Sequence, residues 1–328
     1  MLSAADYRPV WWARSGHVQS LLGSNRWRQS LGEQRLQATG AQTREHLLDA
    51  GDGVRLLGLH SVVPGRTPRG LALLLHGWEG SAESSYMRHT AAHLLEAGFE
   101  VFRLNFRDHG DTHHLNEGIF HSNRIDEVVR AAAELARHFP ARPMVAAGYS
   151  LGGNFALRLA MRAHAAGVPL QRVAVVCPVL DPARTMSVIE HGLPVYRWYF
   201  QRKWTASLAR KRELFPHLHD FDDRVLRMDI RALTGWLVER QTEFGSLERY
   251  FDGYSIAGDR LADLPVPARI LMAADDPVIP VDDFHHLQLP GSARLEISRW
   301  GGHCGFVEDG HLDGFAERWI AAQLLAGD

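Results

Sequence analysis

The chain has 328 residues, of which 45% are hydrophobic and 23% are charged, and its formal net charge is −2. This balance excludes a strongly basic surface for nucleic acid and gives no overall field toward an anionic membrane. Two cysteines, Cys177 and Cys304, are too few for a disulfide framework. With no secretory leader and no run of about 18 apolar residues, the composition predicts a cytoplasmic protein.

The first 45 residues are rich in Trp and Arg and are only weakly patterned. We expect this N-terminal extension to pack on the main body through Trp11, Trp12 and Trp27. Its Gly-His-Val-Gln-Ser motif at residues 16–20 favours packing or capping over chemistry. Two apolar stretches around a Gly-Asp-Gly turn then predict a β-hairpin over residues 46–63.

The rest of the chain alternates short apolar runs with helical segments. Such runs are typical of strands buried on both faces, and the alternation predicts a parallel sheet with right-handed crossovers and helices on both faces. The predicted strands are residues 71–75, 99–104, 144–147, 172–177, 268–273 and 294–298. The predicted helices are residues 84–97, 124–138, 154–164, 281–289 and 311–325.

The alternation is interrupted over residues 183–264, where no buried strand is evident. We predict a helical cap insertion here, with residues 1–182 and 265–328 forming the core. The basic side chains of this segment, next to Trp198-Tyr199-Phe200, favour a solvated face. Transient contact with anionic lipid is the alternative, and it predicts vesicle binding that weakens as salt rises. The basic residues are Arg197, Arg202, Lys203, Arg210, Lys211 and Arg212.

One segment combines a strand, a sharp turn and a helix around a serine. The apolar residues 144–147 lead into Gly148-Tyr149-Ser150-Leu151-Gly152, and a helical segment follows. This Gly-x-Ser-x-Gly pattern is typical of a nucleophile elbow, in which the serine is strained and side chains at the glycine positions would collide with the strand and the helix. The pattern alone is equally compatible with a plain tight turn. The presence of a base and an acid elsewhere in the chain must decide between the two.

A serine nucleophile needs a base, and the base needs a carboxylate that orients it. Candidates for both follow Ser150 at predicted strand ends. His303, in a Gly-Gly-His-Cys-Gly loop, is the candidate base, while Asp275 and Asp276 compete for the acid. We favour Asp276, because an Asp-Pro-x-x-Pro loop can hold its first residue turned back toward the site. Cys304 is a poor nucleophile candidate because it lacks a strand-turn-helix setting.

An oxyanion hole needs two N–H groups aimed at the developing negative charge. The residue after the serine, Leu151, supplies one candidate N–H. The other is the N–H of Trp78, in the His-Gly-Trp turn that follows the first central strand. A plain turn at the end of a strand is the structural alternative for this second segment.

Together these motifs resemble the α/β-hydrolase superfamily and, more narrowly, the YheT/ABHD-type hydrolases. The residues that carry the narrower match span nearly the whole chain: 16–20, 75–81, 105–107, 148–154, 221–224, 250–255, 274–277 and 301–303. The resemblance implies an α/β-hydrolase fold and a serine esterase, with Ser150, Asp276 and His303 as its triad. It further implies action on short- to medium-chain esters or on phospholipids, and no cofactor is needed. Residues 108–114 depart from the Arg-Gly-x-x-Gly turn usual in such proteins, which leaves the role of that loop open.

The sequence is also compatible with three other interpretations. Acyl transfer to an alcohol uses the same triad and would show as new ester formed when alcohol is added. A catalytically silent binding protein is disfavoured because nucleophile and base are both present. A divalent metal site competes with solvated surface in the His-rich loop, and a chelator would leave ester turnover intact if the loop is surface. The candidate ligands are Asp108, His109, Asp111, His113, His114 and His121.

Overall fold

The computed structural model describes residues 2–140, 142–312 and 314–326 of the chain. Its strands form a single sheet with the order β1-β2-β4-β3-β5-β6-β7-β8. The strands are β1 (Gln42–Asp49), β2 (Arg55–Val62), β3 (Leu71–Leu75), β4 (Glu100–Leu104), β5 (Met144–Tyr149), β6 (Leu170–Val176), β7 (Ala268–Ala273) and β8 (Arg294–Ser298).

Helices precede, connect and follow these strands. The first two are α1 (Gly16–Gly23) and α2 (Arg26–Ala38), followed by α3 (Ser85–Glu96), α4 (Ile125–His138), α5 (Leu151–Arg162), α6 (Pro182–His191), α7 (Pro194–Leu214), α8 (Asp223–Leu226), α9 (Ile230–Gln241), α10 (Leu247–Asp252), α11 (Asp282–His285) and α12 (Phe315–Leu325). Short 3₁₀ turns cover Ala4–Asp6, Trp11–Ala13 and His113–Leu115. None of the described helices is both long and apolar enough to cross a bilayer.

The sheet is parallel from β4 to β8, and the hairpin of β1 and β2 joins it antiparallel through β2. Every residue of β3, β4 and β5 is buried, as expected for central strands covered on both faces. This confirms the predicted fold class. In the sheet, β4 lies on one side of β3 and β5 lies on the other side, so β3 and β5 flank a topological switch point. Ligands of open α/β sheets bind outside the carboxyl ends of the strands at such a point.

Three helices differ from the sequence predictions. Helix α5 begins at Leu151 instead of residue 154. The helix expected over residues 281–289 is reduced to α11, and the Gln288 N–H donates to the Gly258 carbonyl at 2.8 Å instead of continuing a helix. Helix α12 begins at Phe315, after a bridge between Val307 and residue 314; the part of the predicted helix at residue 313 lies outside the described residues.

The N-terminal extension packs on the core, but not through its tryptophans. Trp11 and Trp27 are 80% and 81% exposed, and Trp12 is exposed too, so this expectation was wrong. The buried contacts come instead from Tyr7 and Arg28, and Arg28 forms an ion pair with a glutamate of α12. Glycines let α1 and α2 pack closely against the core. A Cβ added at Gly23, for example, would lie 2.9 Å from the Gly305 Cα. Such close packing leaves no room for the indole ring of a tryptophan on the faces of these helices that meet the core.

Residues 183–264 lie between β6 and β7 and contain no strand in the described chain. Helices α6 to α10 are formed in this part of the chain. Helices α6, α7, α9 and α10 lie over the carboxyl ends of the strands and contribute side chains to the space above Ser150. The division of the chain into a core and a separate cap stays a prediction.

Candidate active site

Ser150 lies in the turn between β5 and α5 with φ +53° and ψ −120°, a conformation that L-residues rarely adopt. The flanking glycines are sterically required. A Cβ at Gly148 would lie 2.2 Å from the Gly152 carbonyl oxygen, and a Cβ at Gly152 would lie 2.2 Å from the Leu75 carbonyl oxygen. The Ser150 N–H donates to Val176 at 2.9 Å. The strained turn therefore holds the hydroxyl at the carboxyl edge of the sheet.

The structure brings the predicted serine, histidine and one of the two aspartates together. His303 Nε2 lies 3.0 Å from Ser150 Oγ, and His303 Nδ1 lies 2.9 Å from Asp276 Oδ2. The other oxygen of Asp276 accepts hydrogen bonds from the N–H groups of Val278 and Ile279 at 2.8 and 2.9 Å. The loop after Asp276 thus fixes its carboxylate, as the Asp-Pro-x-x-Pro argument expected.

Asp275 contacts the loop that carries the imidazole, not the imidazole itself. Its Oδ1 accepts the Gly302 N–H at 2.9 Å, while its Oδ2 is buried without a partner in the described chain. Burial raises the pKa of Asp275. Between the two aspartates, only Asp276 is within hydrogen-bond distance of His303 among the described contacts.

The electrostatics of His303 favour its charged form. Burial alone lowers the pKa of an imidazole, but the carboxylate of Asp276 and the thiol group of Cys304 outweigh burial and raise the pKa of His303 to about 9. A carboxylate on Nδ1 also fixes the tautomer, because Nδ1 donates to Asp276 and Nε2 is left as the acceptor that faces Ser150.

Two backbone N–H groups are free beside the serine. Leu151 is the first residue of α5, so its N–H has no intrahelical acceptor. In the described chain neither this N–H nor that of Trp78 donates a hydrogen bond. The Trp78 turn is close to the serine, since a Cβ at Gly77 would lie 3.4 Å from the Ser150 Cβ. Both predicted donors therefore lie near Ser150 and have no acceptor in the described chain.

Helix α1 supports the loop that carries His303. Ser20 Oγ accepts the His303 N–H at 2.8 Å and donates to the Gly16 carbonyl at 2.7 Å. A Cβ at Gly302 would lie 2.2 Å from the Gly16 carbonyl oxygen. His17, from the same motif, is hydrogen-bonded to Tyr196 of α7 at 2.9 Å. The motif at residues 16–20 is therefore a packing element, but one that contacts the candidate base directly.

Replacing Ser20 with alanine is expected to lower kcat for ester hydrolysis about tenfold while KM changes little, because the His303 N–H loses its acceptor and the loop loosens. Steady-state kinetics would measure both constants. Ser24→Ala, at the C-terminal end of the same helix, is the matched control, because Ser24 Oγ is exposed and its one hydrogen bond in the described chain is to the Ser20 carbonyl. An equal loss in both variants would contradict a specific role for Ser20.

Two spaces meet at Ser150. The inner cavity, about 80 Å³, lies under helices α6, α7, α9 and α10 and is lined largely by apolar side chains, such as Leu151, Met186 and Leu237. The outer groove, about 370 Å³, runs between α1 and α7 and contains His303. Trp78 borders both spaces. The site can therefore hold the two halves of a substrate in separate compartments.

Helix α7 packs on the candidate oxyanion turn. The ring of Phe200 stacks on Trp78 at 5.3 Å with an angle of 11°, and Trp204 meets Trp78 edge-on at 5.4 Å. Lys203 donates to the Glu79 carbonyl at 2.8 Å. Sequence reasoning missed these contacts of Trp204 and Lys203, because only tertiary packing places α7 above the turn.

The basic side chains of α7 do not form one cationic face. Lys211 is buried and pairs with Asp108 at 2.6 Å, and Arg212 pairs with Asp223 at 2.9 Å. Arg202 lies over the ring of Trp198. The mainly solvated face expected from sequence is thus wrong for Lys211, because its ammonium is needed to compensate the buried carboxylate of Asp108.

The His-rich loop is held together by its own hydrogen bonds. Asp108 accepts the Phe120 N–H at 2.8 Å besides pairing with Lys211, and His109 Nδ1 donates to the Arg107 carbonyl at 2.7 Å. His113 Nε2 is bonded to Ser207 Oγ at 2.8 Å. These contacts give the loop that departs from the family pattern, at residues 108–114, a structural role, which is to support α7.

Within the described ranges, one group of side chains has the spacing of a metal site. Ligand atoms of Cys177, His303 and Cys304 lie within 4.8 Å of one another, and both thiols are free and buried. Thiolate and imidazole are good ligands for soft divalent metals. Both nitrogens of His303 already contact Ser150 and Asp276, however, so a metal here would take the imidazole away from one of them.

A comparison with family models decides the classification. The model of the family described as serine aminopeptidase S33 (Hydrolase_4) matches residues 66–292. The chain belongs to this α/β-hydrolase family. Membership confirms the predicted resemblance and makes the protein a hydrolase.

Relatives and solved structures agree with this family. YheT of Escherichia coli (strain K12), whose name describes an esterase, is 26% identical over 72% of this chain and 70% of its own. Mouse phospholipase ABHD3 is 24% identical over 72% of this chain, and the match spans 58% of its length. These relatives support the narrower YheT/ABHD-type assignment and an esterase-like activity.

Two solved structures show the same fold. A serine hydrolase from Cycloclasticus zankles superposes with a TM-score of 0.56 at 16% identity, over 87% of this chain and 97% of its own. The esterase of Pyrobaculum calidifontis gives a TM-score of 0.55 at 16% identity, over 91% of this chain and 90% of its own. At this identity the likeness concerns the fold alone.

Proposed function

We propose that the protein hydrolyses carboxylic esters through an acyl-enzyme formed on Ser150. The observation that carries this proposal is the continuous chain of hydrogen bonds from Ser150 through His303 to Asp276, at 3.0 and 2.9 Å. Family membership and the esterases among the relatives agree with it. The alternative of a silent binding protein has no support in this geometry, because a hydroxyl, a base and an orienting carboxylate are aligned.

The positions of these atoms support the following reaction. His303 Nε2 takes the proton of Ser150 Oγ as the oxygen attacks the ester carbonyl carbon, and the negative charge collects on the carbonyl oxygen. The free N–H groups of Trp78 and Leu151 stabilise that charge. The bond to the alcohol oxygen then breaks, and the alcohol leaves with the proton from His303. Water, deprotonated by the same imidazole, then adds to the acyl carbon. The bond from that carbon to Ser150 Oγ breaks, Oγ takes the proton back from His303, and the acid is released.

Esters fit this site better than the peptides that an aminopeptidase, the enzyme in the family description, would cleave. An aminopeptidase must hold the α-ammonium group of its substrate, and a carboxylate is the usual partner for that charge. None of the described residues lining the inner cavity or the outer groove is acidic. A neutral ester with an apolar acyl chain brings no charge of its own that would need a partner in either space.

The substrate we propose is a short- to medium-chain ester or a lipid-like ester. The inner cavity is lined mainly by apolar side chains, many of them from helices α6, α7, α9 and α10, which suits one acyl chain, whereas the larger outer groove suits a bulkier alcohol portion. Trp198, 59% exposed, and Tyr199 border the groove at its outer side. These rings support contact with a lipid surface as part of the proposal, and binding to anionic vesicles that weakens with salt would test that part.

A panel of p-nitrophenyl esters of increasing acyl length tests the proposal. We expect a burst of p-nitrophenol equal to the enzyme concentration when the acyl-enzyme accumulates, and a sharp fall in kcat/KM once the chain exceeds the inner cavity. Added short alcohols separate hydrolysis from acyl transfer, since transfer would yield a new ester in place of free acid. No turnover with any chain length would contradict the proposal.

A further inference from the structure

The position of the base indicates which half of an ester enters which space, and this step rests on the proposed ester hydrolysis. The alcohol must leave with a proton from His303 Nε2, so the alcohol portion has to lie on the side of Ser150 where the imidazole is. His303 lines the outer groove and does not line the inner cavity. The acyl chain therefore enters the inner cavity.

A small set of described side chains borders both spaces. Trp78, Ser150, Phe200 and Val278 line the inner cavity as well as the outer groove. The ester carbonyl carbon must come within about 3–3.5 Å of Ser150 Oγ for attack. The first carbons of the acyl chain therefore pass this boundary on their way into the cavity.

Helix α7 shows where the boundary lies. Tyr196 lines the groove but not the cavity, Phe200 lines both, and Trp204 lines the cavity but not the groove. Residues four apart share one face of a helix, and each lies about 6 Å further along its axis than the last. The two spaces therefore follow one another along α7, and they meet at Phe200.

The ring of Phe200 is held at this boundary by other rings. It stacks on Trp78 at 5.3 Å with an angle of 11°, and the ring of Tyr199 meets it edge-on at 5.4 Å. Val278 is buried, and its N–H donates to Asp276 at 2.8 Å. Contacts within the protein thus fix the side chains that the acyl chain must pass.

The inner cavity limits the length of the acyl chain. Its volume is about 80 Å³, against about 370 Å³ for the outer groove. One water molecule needs roughly 10–15 Å³ of such a cavity, so the inner cavity has room for on the order of six heavy atoms. The larger part of the substrate has to lie in the groove.

We propose that Phe200 determines acyl selectivity, by admitting a straight acyl chain from Ser150 into the inner cavity and rejecting a chain that branches next to the carbonyl. A branch there places an additional methyl group against the ring of Phe200, where close packing leaves no room for it. The substrate class is an ester of a short, straight-chain acid with a larger alcohol.

The test compares p-nitrophenyl butyrate with p-nitrophenyl isobutyrate, which share the leaving group and the number of acyl carbons but differ in the branch. The measured quantity is the ratio of kcat/KM for butyrate to that for isobutyrate, divided by the same ratio for hydrolysis by hydroxide. Neither the amount of active enzyme nor the intrinsic reactivity of the esters affects this normalised ratio. We expect it to be about 10 or more in the wild type.

Phe200→Ala should lower the normalised ratio to about 1, because the branch then has room. Phe200→Leu takes its place if the alanine variant does not fold, and it should lower the ratio about threefold or more. Trp198→Ala is the matched control on the same helix, because Trp198 lines the groove but not the cavity. Both esters have the same leaving group, so this control should affect them equally and leave the ratio at the wild-type value.

The outcomes are separable from those of the proposed function. If wild type hydrolyses neither ester, the proposed function fails. If wild type hydrolyses both with a normalised ratio near 1, the inference about Phe200 alone is overturned. The same holds if the folded Phe200 variant keeps the wild-type ratio, or if Trp198→Ala lowers the ratio as much as the Phe200 variant does.

Discussion

Ser150→Ala is expected to lower kcat/KM for ester hydrolysis by about 10⁴-fold or more, the largest effect of any single substitution in this chain. The substitution removes the atom that forms the acyl bond in the proposed mechanism, while the proposed oxyanion donors Trp78 and Leu151 stay in place. The loss should appear in kcat, since the cavity and the groove that bind the substrate are unchanged. Stopped-flow release of p-nitrophenol measures it directly and should show no burst.

Alanine suits the strained turn as a control for folding. It keeps a Cβ at φ +53°, so the backbone strain at this position is the same in both proteins, and the unfolding midpoint should change little. A fluorophosphonate reagent should label wild type on the peptide that contains Ser150 and leave the variant unlabelled. Turnover above about 1% of wild type in the variant would mean that another nucleophile, such as Cys304, performs the reaction.

The parts of the site that sequence could predict are those set by local backbone geometry. Gly148 and Gly152 are recognisable because no other residue fits, and the structure gives the reason as distances of 2.2 Å to backbone oxygens. Alternation of strands and helices then places the carboxyl ends of β5, β7 and β8 on one edge. Residues that follow those strands, such as Asp276 and His303, had to come near Ser150.

The parts that sequence could not predict depend on which face of an element meets another element. Trp11 and Trp27 are large and apolar, yet α1 and the following chain pack through glycines and buried polar groups, such as Arg28, instead. The contacts of Trp204 and Lys203 with the turn at Trp78 gave no signal either, because they depend on where the whole of α7 packs. Propensity describes the chain locally, whereas these choices belong to tertiary packing.

Asp276→Asn is expected to lower kcat about 10⁴-fold, although the side chains are nearly isosteric. The N–H groups of Val278 and Ile279 will hold the amide oxygen where Oδ1 now lies. The amide NH₂ then faces His303 Nδ1 and donates to it, so the proton of the neutral imidazole moves to Nε2. Nε2 can no longer accept the proton of Ser150, and the base is lost through the wrong tautomer.

The same substitution should move the pH profile in a direction that a merely structural role would not. The active form has neutral His303, so kcat/KM falls as pH drops through the pKa of His303, which Asp276 raises to about 9 against the effect of burial. Removing the negative charge lowers that pKa, so the acid limb of the residual activity should shift to lower pH. Initial rates measured from pH 5 to 10 at ester concentrations well below KM would show the shift.

The substitution Asp275→Asn distinguishes the role of Asp275 from that of Asp276. Its amide oxygen can still accept the Gly302 N–H, and its NH₂ replaces an oxygen that has no partner in the described chain. Asp275 is not in hydrogen-bond contact with His303, so kcat should stay within about tenfold of wild type and the acid limb should move far less than in Asp276→Asn. If Asp275→Asn lost activity as completely as Asp276→Asn and shifted the limb equally, the assignment of Asp276 as the orienting carboxylate would be wrong.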